Sequence, residues 1–217
     1  VKMLEKQTSK SVIKLPVPLP KGKISIEETL SKRRSIRHYS KKPLGLQQLS
    51  QILWSASGIT SSSGFRTAPS AGATYPIEIY IIITNVENIE PGIYKYDYHN
   101  HSINFHHKIS SIQPFISAVL NQEFASDAGI NVIITAEFSR TTSIYGERGV
   151  RYVWMEAGHI AENIHLQAES LNLGTVVIGA FHDNWIKDFL KIKMCSGKVG
   201  LFKFKKIEPV YSFKKFF

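Results

Sequence analysis

RYVWMEAGHIAENIHLQAESLNLG, residues 151–174, is the stretch whose reading decides the fold. Val150, Val153, Trp154, Ala157, Ile160, Ala161, Ile164, Ala168 and Leu171 recur at spacings of three and four, the period of a helix with one apolar face. The pattern predicts an amphipathic helix over residues 147–172, ~36–39 Å long at the usual rise per residue, with Gly174 as its stop. Glu156, His159 and Glu162 carry groups that could act as acid, base or ligand, but their positions read as the polar edge of the helix. Beyond it, TVVIGAF (175–181) is a short run of branched residues and reads as a buried strand, and Asp183 is placed to cap a last short helix.

Upstream of the helix, INVIITAEF (130–138) and EIYIIIT (78–84) are apolar on both faces and read as central strands. Between them GIYKYDYHNHSINFHH (92–107) alternates around a His-Asn turn, which predicts a hairpin, and a short helix is expected near 112–121. Residues 60–76 form a loop. A helix follows Pro43 with Leu46, Leu49, Leu53 and Ala56 on one face and Gly58 at its end. A shorter one begins at Ser25, whose spacing to Glu28 is that of a capping box. The stretch KLPVPLPKGK (14–23) alternates proline with apolar residues and belongs to an extended arm, residues 1–24, laid over the rest. Strands and helices mixed in this way, without regular strand-helix-strand alternation, predict an α+β fold with a central, mostly antiparallel sheet flanked by helices.

A chain of 217 residues, 43% hydrophobic and 20% charged, reads as one folding unit of ordinary globular composition. The longest apolar runs fall far short of the ~20 residues that span a bilayer, so no membrane segment is expected, and a cytoplasmic location is the default. One cysteine, Cys195, excludes an intrachain disulfide and a multi-cysteine metal site. The histidines at 99, 101, 106 and 107 fall on the hairpin without a matched carboxylate set, so no metal site is expected. The net charge of +10 is divided into +9 over residues 1–42, −6 over 43–183 and +7 over 184–217. Two basic ends raise a nucleic-acid partner, but no recognition motif accompanies them, and they read as solvated surface.

Three constellations bear on chemistry. In SKRRSIRHYS (31–40), Arg33 and Arg37 share a face whether the segment is helical or extended, and Ser35 joins them if it is extended. Planar guanidinium forks suit phosphate oxygens; a solvated basic turn at a helix end is the other reading. PSAGATYP (69–76) sets small residues between two prolines, either a plain tight turn or a place where backbone N–H groups approach a planar ligand or an anion. VIGAF (177–181) ends a strand with Gly179 and Ala180, where a flat ring could lie on the main chain.

Taken together, RRSIRHYS, PSAGATYPIEIY, the long helix and TVVIGAFHD resemble the nitroreductase family of flavin mononucleotide (FMN) oxidoreductases. Within it the similarity is strongest to the branch containing the azoline dehydrogenases of thiazole and oxazole peptide biosynthesis. The resemblance runs in uninterrupted order over residues 12–190. It implies a homodimer with the long central helix at the interface and two flavins there, each contacted by both chains. Arg33, Arg34, Ser35 and Arg37 would hold the flavin phosphate and ribityl chain. Pro69, Ser70, Ala71 and Gly72 would approach the same flavin from the partner subunit, and Gly179 with Ala180 would lie near its reactive edge. Ala157, Gly158 and Ala161 would then allow close helix approach in the dimer core.

The implied activity passes electrons from NADH or NADPH through FMN to a small organic acceptor, a nitroaromatic, quinone or enone, by a ping-pong cycle. Azoline oxidation on a peptide is one alternative; a flavin-binding protein without turnover is another. Since the cofactor carries the chemistry, no catalytic side chain is named. The resemblance fails after about residue 190, so the chain divides into the arm (1–24), the flavin-binding domain (25–192) and a divergent basic segment (193–217). In the last, residues 193–206 are expected to be a solvent-exposed excursion, EPVYSF (208–213) a strand added to the partner's sheet, and Lys214 or Lys215 a substitute for the family's terminal basic group.

Overall fold

The computed structural model describes residues 12–192 and 199–206. The elements run β1 (Val12–Lys14), α1 (Ile26–Lys32), α2 (Leu46–Ser57), β2 (Ile77–Ile83), β3 (Gly92–Asp97) and β4 (Ser102–His107). They continue as α3 (Gln113–Ala118), β5 (Ile130–Ala136), α4 (Ser139–Tyr145), α5 (Arg148–Ser170), β6 (Leu173–Ile178), α6 (Asp183–Leu190) and β7 (Val199–Lys206). The strands form one sheet in the order β1-β4-β3-β2-β5-β7-β6, and every pairing between these neighbours is antiparallel.

At the centre β2 and β5 pair from Ile77↔Ala136 to Ile83↔Ile130. Alternate residues of these strands point to opposite faces. Ile77, Ile79, Ile81 and Ile83 join Ile130, Val132 and Ile134 in a core closed by α2 and α5. Tyr80, Ile82 and Ile133 join a second core closed by α3 and α6, through Phe115, Ile116, Ile186 and Leu190. The continuous apolar runs follow from this, because both faces of the sheet are covered.

The local signals act as their chemistry requires. Ser25 Oγ accepts from Glu28 N at 3.2 Å and starts α1, while the Glu28 carboxylate turns to Lys32. Gly58 caps α2, and the β3–β4 hairpin turns where Asp97 Oδ1 accepts from the amides of His99 and Asn100. His106 and His107 place Nε2 on the carbonyls of Leu190 and Phe189, at the end of α6. In the arm, β1 pairs with β4, and Gln51 of α2 exchanges hydrogen bonds with both the N–H and the C=O of Leu19.

Four expectations are corrected. Helix α5 ends at Ser170, and the left-handed residue after it is Asn172 at φ 56°; Gly174 is buried inside β6. Asp183 opens α6 from its first turn, the cap position being His182. Residues 199–206, expected as a solvent excursion, are strand β7, paired on one side to β5 and on the other to β6. Glu156 is no polar edge. It falls in register with Val153 and Ile160 and is 4% exposed, whereas Trp154, expected inside, is 42% exposed. Helix α4 was not expected at all. Cys195, Lys214, Lys215, the stretch 208–213 and residues 1–11 of the arm lie outside the described residues. No described helix is long and apolar enough to cross a membrane.

Two outcomes follow. A Cβ on Gly149 would lie 2.9 Å from Thr142 Cα and 3.0 Å from the Thr141 carbonyl, backbone atoms that cannot rotate away. Alanine gains up to about 1 kcal/mol of helix propensity, but overpacking costs about 1–3 kcal/mol. Gly149→Ala should therefore lower stability in urea unfolding; unchanged stability would mean that α4 and α5 do not meet there. Burial pushes the Glu156 carboxyl up to about 7, against the pull of Arg66 and Ser70. A folded-state pKa above the unfolded one makes the folded chain hold the proton more tightly, so this group's contribution falls as pH rises from about 4.5 to about 7. Burial holds His101, His107 and His165 down and acts with the opposite sign. The difference between wild type and Glu156→Gln isolates the carboxyl: the variant should gain relative to wild type by about 3 kcal/mol across that window, and a constant difference from pH 5 to 8 would contradict the burial.

Candidate active site

The arginine segment begins where α1 stops. Arg33 takes non-helical angles, and the chain runs out extended, with Ser35 bridged to Thr175 of β6 and Ile36 N donating to Thr175 O at 2.9 Å. Tyr39 Oη donates back to Ile36 O at 2.9 Å and pins the segment. The extended alternative is the one adopted. It places 35–36 against β6, the last strand of the sheet, with Arg34, Ser35 and Arg37 exposed and Arg33 half-buried. Arg34 turns back on its own helix, donating to the carbonyls of Ser31 (3.2 Å) and Arg33 (2.7 Å), where a cation suits the helix C-terminus. Arg37 reaches the other way, its guanidinium 5.9 Å from the Phe124 ring centre.

At the far end of β6, Gly179 and Ala180 are exposed, and a Cβ on Gly179 would meet nothing within 4 Å. The Ala180 carbonyl accepts from Gln122 Nε2 at 3.1 Å. Gln122 and Phe124 belong to one tight turn, so the structure brings Arg37 and the Gly179–Ala180 main chain to the same corner. An arginine that can grip an anion shares this corner with bare backbone that can lie against a flat ring.

The second segment sits elsewhere on α5. Pro69 and Gly72 are exposed, and Ser70 and Ala71 half-buried. Gly72, Ala73 and Tyr75 take φ of 59°, 52° and 44°, and the Tyr145 hydroxyl fills the space where a Gly72 Cβ would go, at 2.6 Å. Ser70 lies close enough to the Glu156 carboxyl to pull its pKa down against burial. Arg33 stands close enough to His165 to help burial hold that imidazole's pKa down. Glu156 and His165 are nine residues apart on one helix, ~14 Å along its axis. The two segments thus meet α5 at different heights.

Sequence reasoning missed several residues here. Arg66 lies 4.0 Å from the Tyr75 ring centre and 3.5 Å from that of Tyr98, and donates to Ser57 Oγ at 3.1 Å. Burial lowers its pKa, with both tyrosines and Glu156 opposing. His165 is buried with Nδ1 unpaired. A lone arginine in a serine-rich loop gives no sign of the rings it meets, and a histidine within a helical apolar pattern none of an open nitrogen.

Residues 30–202 match the sequence model of the nitroreductase family. A "putative nitroreductase" of Methanocaldococcus jannaschii is 50% identical over 170 residues, 78% of this chain and 86% of that protein. Among solved structures, a nitroreductase-type protein of Ralstonia eutropha superposes with a TM-score of 0.80 at 27% identity, covering 96% of this chain and 97% of the other. The NADPH:FMN oxidoreductase of Vibrio harveyi, solved with NAD+, shares the fold at a TM-score of 0.60 and 16% identity, over 88% of this chain and 72% of that one. With the match spanning most of the domain and half of the aligned residues identical, the chain belongs to the nitroreductase family, whose members are oxidoreductases.

Proposed function

We propose that this protein is an FMN-dependent oxidoreductase acting as a homodimer. The observation that carries the reading is the corner at the Gln122–Phe124 turn, which Arg37 approaches through Phe124 and the open backbone of Gly179 and Ala180 through Gln122. The donor set fits FMN: Arg33, Ser35 and Arg37 on one extended segment match a phosphate and its neighbouring hydroxyls. Gly179 and Ala180 offer a floor without side-chain bulk. Bound FMN would take hydride from NADH or NADPH and return the electrons to a small organic acceptor such as a nitroaromatic, quinone or enone.

The protein's part is to bind and orient. Arg33 and Arg37 hold the anionic end, Ser35 donates or accepts beside them, and the Gly179–Ala180 main chain sets the plane of the ring. Pro69, Ser70, Ala71 and Gly72, anchored away from the arginines in their own chain, approach the flavin held by the partner. The dimer is favoured by the outward side of α4 and α5, where Ile144, Tyr145, Trp154 and Met155 are exposed together. Gly158, with nothing within 4 Å of an added Cβ, lies on the same helix and permits close approach of a second copy.

Purified protein should be yellow and should release about one FMN per chain on denaturation, the flavin being a bound cofactor. Mixing with NADPH without oxygen should bleach it. Colourless protein that FMN does not reconstitute would sink the reading; yellow protein that neither NADH nor NADPH bleaches would be a flavin carrier. Arg37→Ala should weaken FMN binding by the roughly 1.5–3 kcal/mol of a hydrogen bond to a charged group, and riboflavin binding much less. Equal losses for the two ligands would place Arg37 away from the phosphate.

A further inference from the structure

The backbone that carries Ser70 to Gly72 is held in a shape the chain does not take unaided. Ala73 and Tyr75 bear a Cβ and yet sit in the left-handed region, beside Gly72. Strain of this kind persists only where the surroundings over-determine it, and it gathers at functional sites. Tyr75 is gripped at three points. Its N–H donates to Ser70 Oγ at 2.9 Å, its carbonyl accepts from Arg140 Nη1 at 3.0 Å, and its ring lies 4.0 Å from the Arg66 guanidinium. The Glu156 carboxyl, 4% exposed, lies near enough to Ser70 and to Arg66 for both to pull its pKa down against burial. These neighbours form a circuit: Arg66 lies on Tyr75, Tyr75 is bonded to Ser70, and Glu156 stands beside both Ser70 and Arg66. Tyr98, at 3.5 Å, and Ser57 fix Arg66 from outside it.

A buried carboxyl is a costly way to fill a helix-sheet interface, since an apolar residue of similar volume removes the desolvation cost. What it adds is a polar group beside Ser70 and Arg66. We propose that Glu156 and Arg66 are positioning residues for the flavin, acting through Ser70 and Tyr75 to hold the 69–72 backbone in the shape that meets the cofactor. The proposal rests on the FMN reading above. Arg66 is the cation facing the carboxyl, and Tyr75 and Tyr98 are the titratable groups beyond it. Arg140, on the carbonyl side of Tyr75, is engaged with Glu78.

Two measurements on the full chain test it: FMN affinity, by quenching of flavin fluorescence, and hydrogen exchange of the amides of residues 70–75 without flavin. Glu156→Ala should raise the FMN Kd about tenfold, roughly the loss of one hydrogen bond in the supporting loop, and should speed exchange at Ala73 and Tyr75. Glu156→Gln keeps an oxygen for Ser70 and should restore both properties most of the way. Arg66→Lys keeps the charge but cannot lie flat against the rings, and should resemble the alanine variant. Wild-type affinity and exchange in Glu156→Ala, or a glutamine variant no better than alanine, would overturn the proposal. If Glu156→Ala does not fold, Arg66→Lys decides: unchanged exchange at Tyr75 overturns the circuit. A wild-type chain that binds no FMN would sink the flavin reading alone, because exchange still reports on the loop.

Discussion

Everything else in the molecule depends on the pairing of two isoleucine-rich strands. From Ile77↔Ala136 to Ile83↔Ile130, β2 and β5 are buried on both faces, so neither face can be left to water. A sheet with that centre needs a helical layer on each side. A slip of one residue would exchange the two cores, moving Ile79 and Ile81 to the side built for Tyr80 and Ile82, so the register is firmly specified. The layers that result are unequal. The α3 and α6 side is short, while the other side is covered by α2 and by a helix of 23 residues, α5, which then becomes the ruler along which the site is laid out.

Much of this was legible in the sequence. Strands β2, β5 and β6 announce themselves as branched runs, α2 and α5 as three-and-four periods, and the β3–β4 hairpin as an alternation around a polar turn. What escaped did so for physical reasons. Strand β7 is VGLFKFKK, where lysines interrupt the apolar residues, and its place between β5 and β6 comes from pairing with distant residues that no local pattern reveals. Helix α4 is SRTTSIY, poor in helix formers; it exists because Gly149 lets α5 approach it and because Thr141 is buried, with Thr74 Oγ1 2.8 Å from Thr141 Oγ1. Gly174 misled because a glycine after a helix is the common stop, yet Asn172, which also tolerates the left-handed region, came first.

The candidate site was legible as residue types and not as geometry. Arginines and a serine at alternating positions left helix and extended chain equally open. The choice was made by a backbone bond from Ile36 to Thr175, on a strand 139 positions away in the chain. Glu156 shows the same limit from the other side. A glutamate in an amphipathic pattern reads as surface, and only the arrival of Arg66 and Ser70 makes a buried position tolerable for it. Charged residues on a core face are invisible to periodicity because the compensating partner comes from another segment.

The spacing along α5 then explains why the site reads as two halves. Arg33 meets the helix near His165 and Ser70 meets it at Glu156. A rigid helix between them keeps the two segments of one chain apart; in the proposed dimer, the second segment would serve the flavin held by the other copy. The same helix offers that copy a surface. Its core side is spent on Val153, Ile160, Ile164 and Ala168, leaving Trp154 and Met155 outward, and no monomer gains by exposing them. Under the dimer reading, one apolar pattern does two things: a stripe too wide for a single interface covers the sheet with one edge and meets a second subunit with the other.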